Sequence, residues 1–121
     1  MKKQDRYRKG RHALIREINL SVIIGHLRSA GTASRTSLAD VTGLRKAAVG
    51  SMVSELIEHK FVREVGLTSG NNGRPSIRVE INPEAGCVVS GELGVDFMSV
   101  VCTDFAADII WRQRQPITPD M

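Results

Sequence analysis

The chain has 121 residues, of which 41% are hydrophobic, and a formal net charge of +4. It contains no apolar run of the roughly 18 residues that a membrane span needs, and its charged N-terminus lacks the apolar stretch of a signal peptide, so we expect a cytoplasmic protein. Residues 1–83 carry 15 basic and 7 acidic side chains, whereas residues 84–121 carry 2 and 6. This uneven charge suits a nucleic-acid-binding module followed by a second domain.

The first two segments differ in composition. Residues 1–12 are nearly all polar and include six Lys or Arg residues, which predicts a basic disordered tail. Such a tail either attracts phosphates without sequence preference or only confers solubility. From Ala13 apolar residues recur at spacings of three and four, which predicts a helix that ends at Ala30-Gly31.

Residues 34–57 indicate two short helices joined by a tight turn, as in a helix-turn-helix. Gly43 stands where the chain bends and can adopt the positive φ that ends a helix. Ser34 is a good N-cap, although Ser37 stands where a capping box has Glu or Gln. The positions that need apolar contacts hold Leu38, Leu44, Val49, Met52, Val53 and Leu56. The alternative is a helical pair buried in another kind of domain.

The second helix of this pair, over about residues 45–59, presents polar side chains away from the apolar positions. Arg45, Lys46 and Ser51, with Ser54 as a further candidate, are the residues that we expect to contact DNA. Arg binds guanine O6 and N7 with two hydrogen bonds, whereas Lys and Ser more often contact phosphate. The alternative is a solvated helix face. Gly50 either permits close approach to DNA or is simply tolerated.

Two further DNA contacts are predicted outside that helix. Ser34 and Arg35, at the start of the first helix of the pair, have the amides and guanidinium to hold a backbone phosphate, unless Arg35 forms a surface salt bridge. Arg74, between Gly73 and Pro75, has little bulk around it and suits a narrow A·T-rich minor groove. Alternatively Pro75 stiffens the loop and Arg74 contacts phosphate or solvent.

Alternation of period two predicts strands over residues 61–65 and 77–81, with a Gly- and Asn-rich loop between them. Three helices followed by this hairpin make an α+β winged helix-turn-helix, residues 13–82, with the loop as its wing. After a turn at residues 82–86, strands are predicted over 87–93, 98–104 and 109–112. Three strands cannot bury both faces of a sheet, so residues 83–121 are expected to begin a larger domain of a longer protein.

Nothing in the chain forms a catalytic or metal-binding pattern. The three His residues are scattered, and we expect no metal, no cofactor and no catalytic residues. Cys87 and Cys102 lie in apolar, strand-like surroundings without Cys-x-x-Cys spacing, which favours buried free thiols over a disulfide or metal site.

The order of these features resembles the repressor branch of the ROK family (repressor, open reading frame, kinase). The resemblance covers about residues 13–115. The matching residues are Arg16, Asn19, Ser34-Arg35, Leu38-Ala39, Thr42-Gly43-Leu44, Lys46, Val49, Glu55-Leu56-Ile57, Val62, Glu64-Val65-Gly66, Gly73-Arg74-Pro75, Gly91-Glu92-Leu93-Gly94-Val95-Asp96 and Asp104. It implies that residues 83–121 are the first strands of an actin/hexokinase-like domain. It also implies a repressor of carbohydrate-related genes that binds double-stranded DNA, with a sugar or sugar phosphate held by the missing domain and a possible homodimer.

The chain departs from the family at several positions. Arg45, Ala48 and Gly50 stand where Ser, Thr and Ser are usual, and Lys60 and Ala107 where Gly is usual. The ATP-binding turn Asp-x-Gly-Gly-Thr of the family's kinases is also missing from residues 92–96. We therefore expect a regulator and not an enzyme. The alternative function is a winged-helix protein-interaction module, or a non-functional truncated regulator that binds DNA weakly and without specificity.

Overall fold

The computed structural model describes residues 2–69 and 75–118. Three helices and six strands follow one another, with one short 3₁₀ turn at Pro83–Ala85. Their bounds are α1 Lys2–Ala30, β1 Thr32–Ser34, α2 Arg35–Thr42, α3 Lys46–Glu58, β2 Val62–Ser69, β3 Pro75–Ile81, β4 Cys87–Leu93, β5 Phe97–Asp104 and β6 Ile109–Pro116. The predicted α+β class is confirmed.

The first helix corrects the prediction of a disordered tail over residues 1–12, because α1 already begins at Lys2 and continues without a break. The Lys, Arg and Gln residues that suggested disorder by their polarity also have high helix propensity. A helix that is anchored at its C-terminal end extends through such residues at little cost, because each added residue forms one more backbone hydrogen bond. As predicted, α1 ends at Ala30, where Gly31 has a φ of 82°.

Side-chain hydrogen bonds and residues with a positive φ mark the ends of α2 and α3. Ser34 and Ser37 form a complete capping box at the start of α2, so a serine hydroxyl takes the position that Glu or Gln usually fills. Gly43 ends α2 with a φ of 70°. Lys60 follows α3 with a φ of 63°, at a position where Gly is usual in the resembling family.

The hydrophobic core lies between the three helices and a sheet of order β1–β3–β2. Strand β3 is central and antiparallel to both neighbours, and its Val79 and Ile81 are buried against the helices. The short strand β1 is absent from the sequence prediction because three residues carry no readable alternation. Core residues come from every one of these elements: Ile23, Leu27, Ala33, Leu38, Ala39, Val49, Met52, Val53, Leu56, Val62, Val79 and Ile81.

The second sheet, of order β4–β5–β6, is antiparallel and follows the 3₁₀ turn. Its strands agree with the predicted ones, except that β6 continues to Pro116. The loop after β5 joins it to the helical unit, because Phe105 stacks on Phe61 with ring centroids 5.4 Å apart. Large apolar side chains on this sheet, such as Val89 and Trp111, are exposed.

The two cysteines lie on neighbouring strands of that sheet and are both free thiols, as predicted. Cys87 is exposed, which contradicts the expected burial, and Cys102 is half-buried. Partial burial, followed in importance by the adjacent Cys87 thiol, raises the pKa of Cys102. Within the described ranges no helix is both long enough and apolar enough to cross a membrane.

Two glycines of the helical unit should respond oppositely to substitution by alanine. Gly43→Ala forces a side chain into the left-handed region and should lower the free energy of unfolding by about 1 kcal/mol. In contrast, Gly50→Ala lies inside α3 with open space where the Cβ would stand, and should raise it by about 1 kcal/mol. Urea unfolding of both variants measures this difference, and changes of the same sign would contradict the two backbone assignments.

Candidate nucleic-acid interface

The four residues that the sequence predicts to contact DNA at α3 are exposed, two at the N-terminal end of the helix and two on the side away from the core. Val49, Met52, Val53 and Leu56 are buried, so the helix is fixed along one side. Ser51 and Ser54 lie on the opposite side of the helix, whereas Arg45 and Lys46 lie at its N-terminal end, and all four residues are exposed. A rise of about 1.5 Å per residue spreads Lys46 to Ser54 over roughly 12 Å, the width of a major groove.

This face is positively charged at its N-terminal end. Residues 45–54 include two cations and no acid, and within the described residues neither Arg45 nor Lys46 takes part in an ion pair. Arg45 is the N-cap, but its side chain makes no capping hydrogen bond, since a guanidinium has no acceptor. The first-turn amides of α3 are therefore left without a side-chain acceptor, next to two cations, which is an arrangement that favours anions.

At the start of α2, Ser34 and Arg35 are engaged in contacts with the protein itself. The Ser34 hydroxyl accepts a hydrogen bond from the Ser37 amide at 3.1 Å. The Arg35 guanidinium lies 3.1 Å from the carboxylate of Glu64 on β2, and its side chain is only one-third exposed. This is the salt bridge that the sequence left open as the alternative to a phosphate contact. Arg35 can meet a phosphate only by sharing or leaving Glu64.

The hairpin of β2 and β3 extends from the core next to α2 and α3. Its described strands pair from Val62 with Ile81 as far as Ser69 with Pro75, with a bulge at Gly66. Arg74, the residue predicted to enter a minor groove, lies outside the described residues.

Contacts between distant elements lie around the site, and sequence reasoning did not identify them. Arg16 of α1 forms an ion pair with Glu55 in the last turn of α3. Arg78 of β3 donates hydrogen bonds to the hydroxyl and carbonyl oxygens of Thr32, at 2.8 Å and 2.7 Å, and so ties β1 to the sheet. The only sequence signal was that Arg16 and Glu55 both matched the ROK pattern.

Within residues 2–69 and 75–118, no group of three or more His, Cys, Asp or Glu side chains is placed to hold a metal ion.

Comparison with known proteins gives relatives of one kind, although no protein-family model matches the chain. A provisionally named xylose repressor of Caldicellulosiruptor sp. (strain Rt8B.4) is 34% identical over 108 residues, which are 89% of this chain and 27% of that protein. A xylose repressor of Caldicellulosiruptor bescii is 27% identical over 86% of this chain and 26% of its own length. The xylose repressor of Bacillus subtilis is 28% identical over 82% and 26% respectively. The chain thus spans about a quarter of the length of these relatives.

A solved structure shares the fold. The crystal structure of a ROK family transcriptional regulator, described as a homolog of the E. coli MLC protein, superposes with a TM-score of 0.64 at 20% identity. The superposition covers 85% of this chain and 26% of that one.

The Arg35–Glu64 ion pair should add little to stability, because both side chains are partly exposed. A double-mutant cycle with Arg35→Ala and Glu64→Ala should give a coupling energy of about 0.2–1 kcal/mol that falls as salt is added. The same cycle on Arg63 and Glu80, a second partly exposed pair whose charged atoms are 2.8 Å apart, is the matched control and should give a coupling energy in the same range. A salt-independent coupling above about 2 kcal/mol would contradict an exposed pair.

Proposed function

Since this chain is a relative of the ROK-family repressors, we propose that residues 13–82 are a winged helix-turn-helix that binds double-stranded DNA. The chain is then the DNA-binding part of a transcriptional repressor and not an enzyme. The observation that carries this proposal is the exposed surface of α3 and its N-cap, where Arg45 and Lys46, which form no ion pair within the described residues, precede Ser51 and Ser54 with no acid between them. Burial of the opposite side of α3 makes that face available as a rigid unit.

The residues have separate roles in this proposal. Arg45 contacts a guanine edge, and Lys46 and Ser51 hold phosphates on either side of the groove, with Ser54 close to the far strand. The amides at the start of α2 approach a backbone phosphate beside Ser34, while Arg35 exchanges Glu64 for that phosphate. Arg74 of the wing enters the minor groove.

The remaining parts of the proposal concern the longer protein. We assign residues 83–121 to the first strands of an actin/hexokinase-like effector domain. The other parts of that domain would bind a sugar or sugar phosphate, and the protein would act in the cytoplasm. The names of the relatives make xylose the first ligand to test and genes of carbohydrate use the first targets. A homodimer would bind a two-fold operator.

The decisive experiment is selection of bound sequences from random duplexes, followed by affinity measurements at several salt concentrations. A groove-reading protein selects one sequence and loses affinity steeply with salt, because each phosphate contact releases counterions. Binding that is weak and indifferent to sequence would favour a truncated regulator without function. No binding at all would favour a protein-interaction module.

Removal of the two α3 cations should separate base recognition from phosphate attraction. Arg45→Ala should weaken binding to the selected sequence by about 1–3 kcal/mol and relax the preference at one base pair. Lys46→Ala should weaken all sequences equally and lower the salt slope by about 1. Arg112→Ala, which removes one exposed cation from β6, is the matched control and should change neither quantity. An equal effect of all three substitutions would refute the proposed interface.

The wing contact has its own test. Arg74→Ala should weaken binding most on operators with A·T flanks, because a narrow minor groove there has the strongest negative potential. The measurement compares A·T-flanked and G·C-flanked probes that share one central sequence. Equal losses on both probes would show that Arg74 contacts only phosphate or solvent.

A further inference from the structure

Two thiols lie on neighbouring strands of the second sheet and on the same face of it. Cys87 begins β4 and stands opposite Asp104 of β5, while Cys102 of β5 stands opposite Val89 of β4. Opposite residues of an antiparallel pair share a face, and so do residues that are two apart along one strand. Cys87 and Cys102 are therefore diagonal neighbours on one face of the sheet.

The surroundings of Cys102 show that the two thiols interact. Partial burial is the largest cause of its raised pKa, and the negative charge of Cys87 and a side-chain hydrogen bond with Cys87 are the further causes. A hydrogen bond between two thiols requires that the side chains point toward each other. The strand register and the titration of Cys102 thus place the two sulfur atoms together.

We propose that Cys87 and Cys102 are a redox-active pair, which hydrogen peroxide oxidises to a disulfide and small thiols reduce again. The inference does not rest on the proposed function, because it concerns the sulfur chemistry of the second sheet alone. In a reducing compartment such a bond forms and breaks in response to oxidants and is not a permanent part of the fold.

Exposure gives the two thiols different roles. Cys87 is exposed, so its thiolate can meet a peroxide in solvent. Cys102 is half-buried, and its raised pKa keeps it protonated at neutral pH. Cys87 is therefore the residue that attacks the peroxide, and Cys102 is the residue that closes the disulfide.

The oxidation takes place in two steps. The Cys87 sulfur attacks one oxygen of hydrogen peroxide, the O–O bond breaks, and the products are a sulfenic acid and water. The Cys102 sulfur then attacks the Cys87 sulfur, the S–O bond breaks, and the hydroxide leaves as water with the proton of Cys102. In sum the two thiols lose two electrons and two protons, and one peroxide becomes two waters.

The position of Cys87 allows the small approach that this bond needs. Diagonal neighbours are typically about 7–8 Å apart at Cα, whereas a disulfide usually spans about 4.4–6.8 Å. Cys87 is the first residue of its strand and follows Gly86, around which the structure leaves open space. This end of β4 is therefore less constrained than the interior of the strand.

The pair also lies beside the connection between the two sheets. Cys87 follows the 3₁₀ turn at Pro83–Ala85, and Phe105 stands three residues after Cys102. The Phe105 amide donates a hydrogen bond to the Pro83 carbonyl at 3.2 Å. A disulfide between Cys87 and Cys102 links covalently the two segments that make this contact.

The first test identifies the product of oxidation. The reduced 121-residue chain is treated with a small excess of hydrogen peroxide at low protein concentration. Mass spectrometry should show a monomer that has lost two hydrogens and has Cys87 and Cys102 in one cross-linked peptide, and dithiothreitol should restore both thiols. An unreacted chain, disulfide dimers of two chains, or a sulfinic acid at Cys87 beside a free Cys102 thiol would overturn the proposal.

The matched control moves one thiol to the other face of the sheet. Cys102→Ser with Thr103→Cys keeps two cysteines on β4 and β5, but residue 103 stands opposite Val88 and points away from Cys87. This variant should form the disulfide within one chain at least about tenfold more slowly. An equal rate would show that the shared face does not bring the thiols together, and the proposal would fail.

Single substitutions test the separate roles of the two thiols. With Cys102→Ser, Cys87 should gain one oxygen as a sulfenic acid that dimedone traps. With Cys87→Ser, Cys102 should be oxidised at least about tenfold more slowly than Cys87, because it is half-buried and protonated. Equal or faster oxidation of Cys102 would contradict the assignment. These readouts use no DNA, so the failure of this proposal and the failure of the proposed function are distinguishable.

Discussion

The burial of one side of α3 is the constraint on which the rest of the structure depends. Val49 and Val53 are fully buried, in a core that also contains Leu27 of α1 and Val79 of β3. A helix held by branched and long apolar side chains on one side cannot rotate without exposing them, at a cost of about 1.5–3 kcal/mol per side chain. The polar positions between them are therefore turned outward. The orientation of Ser51 and Ser54 is a consequence of apolar packing, whereas Arg45 and Lys46 are exposed because they lie at the N-terminal end of the helix.

The sequence predicts the elements whose periodicity is long and clear. Helices α2 and α3 and the five longer strands lie within a few residues of their predicted bounds, because burial of one face imposes a period of 3.6 or 2 on the sequence. Residues 2–12 do not follow this rule, since the described part of their helix is exposed on all sides and shows no periodicity. Their polarity suggested disorder, while their propensity and their continuity with Ala13 favour helix.

The candidate site was only partly predictable for a different reason. The exposure of Ser51 and Ser54 on α3 follows from the pattern of apolar residues, and Arg45 and Lys46 are exposed at the end of the helix. The partner of Arg35 is Glu64, which lies 29 residues away on β2. Nothing in the local sequence indicates that the start of α2 and β2 come into contact. Contacts of this kind depend on the tertiary arrangement, which single-sequence patterns do not contain.

Backbone strain is concentrated where the two sheets meet. Among the described residues, Lys60 and Ala107 are the non-glycine residues with positive φ, at 63° and 75°. Each costs about 1–2 kcal/mol relative to glycine, and they flank the stacked rings of Phe61 and Phe105. The Phe61 amide in turn donates a hydrogen bond to the Leu56 carbonyl of α3. The loop after β5 is therefore connected to the last turn of α3 through the Phe105–Phe61 stack and the Phe61–Leu56 hydrogen bond.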